Sequence, residues 1–106
     1  MDRLFKLATS RYILTDVSVA EIVWVLESLY KVPKSDIVAK LRLLLALEAI
    51  EADKTLLSDA LDFYWSRNID FIDAYLAAYA STHHIDAVVS YDRDLDKIAG
   101  ISREEP

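Results

Sequence analysis

Two neighbouring stretches decide how this chain folds: Asp70-Phe71-Ile72-Asp73-Ala74-Tyr75-Leu76-Ala77-Ala78-Tyr79-Ala80 and Ala87-Val88-Val89-Ser90-Tyr91-Asp92. Between its polar ends the first is apolar on nearly every side, which predicts a buried helix over residues 70–84 rather than a surface one. The second opens with a short apolar run that reads as a buried strand. Further out, the same alternation recurs. Residues 11–15 are β-branched and aromatic, and they give way to a segment whose apolar positions 19, 22, 23, 26, 29 and 30 follow the helical period, with Asp16 or Ser18 as N-cap. Pro33 stops that helix, Ser35 can cap the next, and positions 37, 38, 41, 44 and 45 carry a second stripe to about Leu47. Residues 49–53 alternate weakly, as a short strand would. A third stripe at Leu57, Ala60, Leu61, Tyr64 and Trp65 ends near Asn68. Residues 92–99 allow one or two helical turns, and Gly100 releases the chain into a last short strand. Strands alternating with helices predict an α/β layer fold with a parallel sheet.

Composition sets the outer limits. The 106 residues suit one compact domain. Hydrophobic residues make up 54% of them, enough for a packed core. With 12 Lys+Arg against 18 Asp+Glu the net charge is −6, which excludes a basic nucleic-acid coat and confines any phosphate contact to a local site. Cysteine is absent, so disulfides, thiolate zinc sites and Cys nucleophiles are excluded. No apolar stretch approaches the ~18 residues of a membrane span, and the start lacks the features of a signal peptide, so a cytoplasmic protein without membrane partners is expected.

Asp73 is the most informative residue, because a carboxylate among Ala77, Ala80 and other apolar neighbours bears a desolvation cost unless a cation or donor meets it. The local alternative is a capping box, with Asp70 as N-cap and Asp73 answering it. Asp92 follows a buried strand, and the carboxyl ends of parallel strands are where open α/β sheets place ligands. It too can be an N-cap. Asp94 and Asp96 extend a D-x-D-x-D run, but an EF-hand loop needs Gly and Glu where Lys97 and Arg103 stand. Glu21 falls in the first turn of the first helix, where the helix dipole alone would account for it. His83 and His84 are adjacent, about 100° apart on a helix, and do not converge on one metal. Ser90 has no His and Asp partner at a spacing that supports a triad, and a single Gly cannot build a phosphate-binding loop. Glu21, Asp73 and Asp92 each fall near a strand end or the start of the next helix. Gathered at one sheet edge, an oxygen-only cluster of that kind suits Mg²⁺ or Mn²⁺ and phosphodiester hydrolysis.

These residues resemble the PIN-domain family of ribonucleases, in particular the VapC-type toxins of prokaryotic toxin–antitoxin pairs. The resemblance rests on Val19-Ala20-Glu21-Ile22-Val23-Trp24-Val25-Leu26-Glu27, on Ile69-Asp70-Phe71-Ile72-Asp73-Ala74-Tyr75-Leu76-Ala77-Ala78, and on Val89-Ser90-Tyr91-Asp92-Arg93-Asp94-Leu95. It implies a three-layer α/β fold, a Mg²⁺- or Mn²⁺-dependent endoribonuclease, Glu21, Asp73 and Asp92 as catalytic metal ligands, and Asp94 and Asp70 as lesser ones. Ser90 would correspond to the family's hydroxyl beside the acidic site, where it orients a ligand or water.

One departure bears on activity. Family members begin with a central strand ending in a further Asp, whereas Met1-Asp2-Arg3-Leu4-Phe5-Lys6-Leu7 resembles the tail of the family's second helix, and neither Asp2 nor Asp16 stands in the right context to replace that Asp. The expectation is an N-terminally truncated PIN-like domain, a natural short form, or a chain completed by a strand from another. Exposed strand edges then favour a homo-oligomer, expected as a dimer. RNA as substrate and a cognate antitoxin protein are the partners the resemblance implies. The other reading is a non-catalytic PIN-like fragment that acts by binding protein, since an acidic chain attracts a basic peptide as readily as RNA.

Overall fold

A computed structural model of the chain describes residues 10–98 and 100–106. The reading of residues 1–7 and the end of the helical turn at Ala99 lie outside the described residues. The chain divides into two compact units, Met1–Lys54 and Thr55–Pro106.

In the first unit, strand β1 (Tyr12–Ile13) leads into helix α1 (Asp16–Ser28), and helix α2 (Lys34–Leu45) leads into strand β2 (Ile50–Glu51). The strands pair in parallel, Tyr12 opposite Ile50 and Ile13 opposite Glu51. The amides of Tyr12 and Leu14 donate to the carbonyls of Ala49 and Glu51, both at 2.8 Å. Arg11 pairs with Glu51 beside this ladder. The N-cap of α1 is Thr15, not Asp16 or Ser18: Thr15 is extended, and its Oγ1 accepts the Ser18 amide at 3.0 Å. Ser18 instead turns its hydroxyl back to Thr15 Oγ1 at 2.9 Å. Likewise Pro33, not Ser35, occupies the N-cap of α2, because its fixed φ already suits the helix entry. The second helix stops at Leu45, short of the expected Leu47. α1 and α2 pack together, with Val19, Val23, Ile37, Leu41 and Leu45 buried.

The second unit holds helices α3 (Lys54–Ser66) and α4 (Phe71–Thr82), strand β3 (Val88–Val89), a 3-10 helix (Arg93–Lys97) and strand β4 (Arg103–Glu104). α3 buries Leu56, Leu57, Ala60, Leu61 and Tyr64, and the Tyr64 ring meets Phe71 edge-on with centroids 5.8 Å apart. α4 buries Phe71, Asp73, Ala74, Ala77, Ala78 and Ala80, but Ile72 and Tyr79 are exposed, so it is not buried on every side as its apolar pattern predicts. It closes with His84 in the left-handed region (φ 55°) and the Ile85 amide donating to the Ala80 carbonyl at 2.9 Å, a helix end that usually takes glycine. His83 stacks on Tyr79 at 4.1 Å. β3 and β4 are parallel, Val88 opposite Arg103 and Val89 opposite Glu104. The segment after Asp92 forms the expected helical turns, and they are of the 3-10 kind.

The architecture is therefore mixed α/β with short parallel strands, as the alternating pattern predicts. Among the described residues the strands form two separate parallel pairs rather than one continuous sheet. No helix there is long and apolar enough to cross a membrane.

Candidate metal centre

The first turn of α4 and the segment leaving β3 bring four carboxylates together. Asp70 has the extended backbone of an N-cap, and its carbonyl accepts the Ala74 amide at 2.9 Å, but its side chain makes no capping bond. Asp73 lies one turn in and is only 3% exposed; its Oδ2 is buried without a hydrogen-bond partner. A capping box would have used both side chains, and it is not formed. Asp92 ends the run out of β3 and does cap: its Oδ1 accepts the Asp94 amide at 2.9 Å, while its own amide donates to Ser90 Oγ at 3.0 Å. Asp94 pairs with Lys97 at 3.2 Å. One carboxylate oxygen from each of Asp70, Asp73, Asp92 and Asp94 lies within 4.8 Å of the others.

So much negative charge in so small a volume shows in the protonation of the pair at its centre. Burial first, then a hydrogen bond to Asp92 and the charges of Asp92, Asp70 and Asp94, push the Asp73 carboxyl up to about 7. Asp92 is held below the usual carboxylate range, chiefly by that same hydrogen bond and by the Asp94 amide. Two carboxylates so placed cannot both ionise cheaply, which favours a proton on Asp73. A divalent cation would take the place of that proton. The donor set fits one: all oxygen, hard, and including an orphaned buried acceptor at Asp73.

Of the residues singled out in the sequence, Asp73 and Asp92 stand together, joined by Asp70 and Asp94. Ser90 holds the Asp92 backbone. Glu21 belongs to the first unit, where it is exposed in the second turn of α1, not the first. Arg103, which grips the segment around Asp92, carries no local signal that sequence reading could use, because its partners Ser90 and Asp96 are distant along the chain.

The family model described as PIN domain fits residues 2–101, a span that takes in both units. No curated protein and no solved structure matches. With almost the whole chain matched, the protein belongs to the PIN-domain family, whose members are typically metal-dependent nucleases.

Proposed function

We propose that the chain is a Mg²⁺- or Mn²⁺-dependent endoribonuclease of the VapC toxin type, acting in the cytoplasm. The observation that carries this reading is the buried, unpartnered Oδ2 of Asp73 within a group of four carboxylates. Asp73 and Asp92 are the principal ligands, with Asp70 and Asp94 beside them, and Glu21 retains the ligand role that the family resemblance implies for it. When bound, the ion supplies neutralisation of phosphate charge and an activated water for in-line attack. The chain's own groups do the rest. Ser90 Oγ fixes the Asp92 amide, Asp92 orders the turn that presents Asp94, and Lys97 draws off part of the Asp94 charge. An acidic protein can then accept a phosphodiester only where the ion offsets its field.

The test is cleavage of single-stranded RNA by the purified chain with Mn²⁺, with and without EDTA. Cleavage that persists in EDTA, or in Asp73→Asn, would sink the reading.

A specific observation also favours protein partners. Ile22, Leu26, Leu41, Leu43, Leu44 and Leu47, with Lys40, line an apolar groove of about 380 Å³ in the first unit. Trp24, Leu29 and Tyr30 are exposed on or just beyond α1. Exposed apolar surface of this kind supports a cognate antitoxin and a homodimer as partners. Should the chain bind an antitoxin peptide while taking up no metal in calorimetry, the non-catalytic reading replaces the nuclease.

A further inference from the structure

Arg103 stands in β4, outside the group of four carboxylates, with a side chain only 11% exposed. Its guanidinium is almost fully engaged. Nε and Nη2 donate to the two oxygens of Asp96 at 3.0 and 3.2 Å, a bidentate fork. Nη1 donates to the Ser90 carbonyl at 3.0 Å and to Glu105 Oε1 at 3.2 Å. Ser90 and Asp96 bracket the stretch that carries Asp92 and Asp94, so one side chain from the neighbouring strand grips both ends of it. The stretch follows a two-residue strand and carries most of a five-residue 3-10 helix, too short for its own hydrogen bonds to hold one shape cooperatively.

We propose that Arg103 is the positioning residue of the acidic centre, clamping residues 90–96 so that Asp92 and Asp94 stand with Asp70 and Asp73. The inference rests on the metal-site reading above. It makes a prediction opposite in sign to simple electrostatics. Arg103 is a cation near a cation site, so by Coulomb's law its removal tightens binding of a second cation. Loss of a clamp loosens it, because supporting groups around a metal site set the geometry of the ligands.

The experiment is titration of Mn²⁺ alone into the full chain, read by calorimetry and by the electron paramagnetic resonance of free Mn²⁺. Arg103→Ala is expected to weaken Mn²⁺ binding about tenfold. Arg103→Lys keeps the charge but cannot span Ser90 and both Asp96 oxygens, so it should also weaken binding, where electrostatics alone predicts no change. Circular dichroism establishes that each variant is folded; if Arg103→Ala is not, Arg103→Lys decides alone. A merely structural role would lower the melting temperature and leave the Mn²⁺ affinity of the folded protein as it was. Unchanged or tighter binding in a folded variant overturns the clamp. Absence of Mn²⁺ uptake by the wild-type chain overturns the metal site and the clamp with it, an outcome distinct from normal wild-type uptake with indifferent variants.

Discussion

Asp73, buried in the first turn of α4, and Asp92, at the mouth of β3, bring carboxylate oxygens within 4.8 Å of each other, and the first carboxyl is pushed up to about 7 while the second is held low. Neither residue would behave so in isolation. Burial raises the cost of charging Asp73, and the neighbouring charges of Asp92, Asp70 and Asp94 raise it further.

The first prediction concerns stability without metal. A carboxyl whose pKa rises from 3.8 to about 7 on folding binds its proton more tightly in the folded state, so its contribution falls as pH rises from about 4 to about 7. Asp92, with a lowered value, acts in the opposite sense, and its contribution is lost as pH falls towards its folded pKa. In EDTA, the urea midpoint of the wild-type chain should therefore decline between pH 5 and pH 8 relative to Asp73→Asn, which has no charge to bury. Parallel curves would contradict the shift.

Metal uptake should expel that proton. Below about pH 7 an incoming Mn²⁺ must displace it from Asp73, so affinity rises with pH and levels off above the Asp73 pKa. Calorimetry in buffers of different ionisation enthalpy measures the protons released. The expected count at pH 6 approaches one, and zero would show that the ion binds elsewhere.

Substitution within the cluster should separate ligands from supports. Asp73→Asn and Asp92→Asn are each expected to reduce Mn²⁺-dependent RNA cleavage by about a hundredfold or more, the scale on which one charge-stabilising group acts at a reacting centre. Ser90→Ala removes only the acceptor for the Asp92 amide and should cost less. A loss for Ser90→Ala as large as that for Asp73→Asn would reverse these roles.

Two changes away from the centre test the packing account. Leu57 is fully buried in α3, and Leu57→Ala should lower stability by about 2–5 kcal/mol in denaturant titration. His84 holds a left-handed backbone, so His84→Gly should raise stability by about 1 kcal/mol, apart from any stacking change at His83. A destabilised His84→Gly would mean that its imidazole makes a contact worth more than the strain it bears.

Much of this was readable beforehand, and the exceptions share a cause. The helices were legible because stripes such as Leu57, Ala60, Leu61 and Tyr64 repeat at the helical period and do become buried. Asp73 was legible because one carboxylate in an apolar run needs an explanation. The caps differ by a few positions from those the sequence suggests, because Thr15 and Pro33 sit beside equally good candidates and only the backbone angles choose between them. Strands of two residues are too short to show a period, so the pairing of β1 with β2 and of β3 with β4 was not readable in detail. Arg103 was invisible for a different reason: its partners are set by tertiary contact, not by spacing.

The side chain of Asp70 makes no capping bond at the start of α4, so the end of that helix is closed there through its backbone, the Asp70 carbonyl accepting the Ala74 amide. Whatever settles among the carboxylates also draws on Asp70 and so alters how readily this turn frays. Deuterium uptake at the Ala74 amide would accordingly register occupancy directly, with no nucleic acid in the tube.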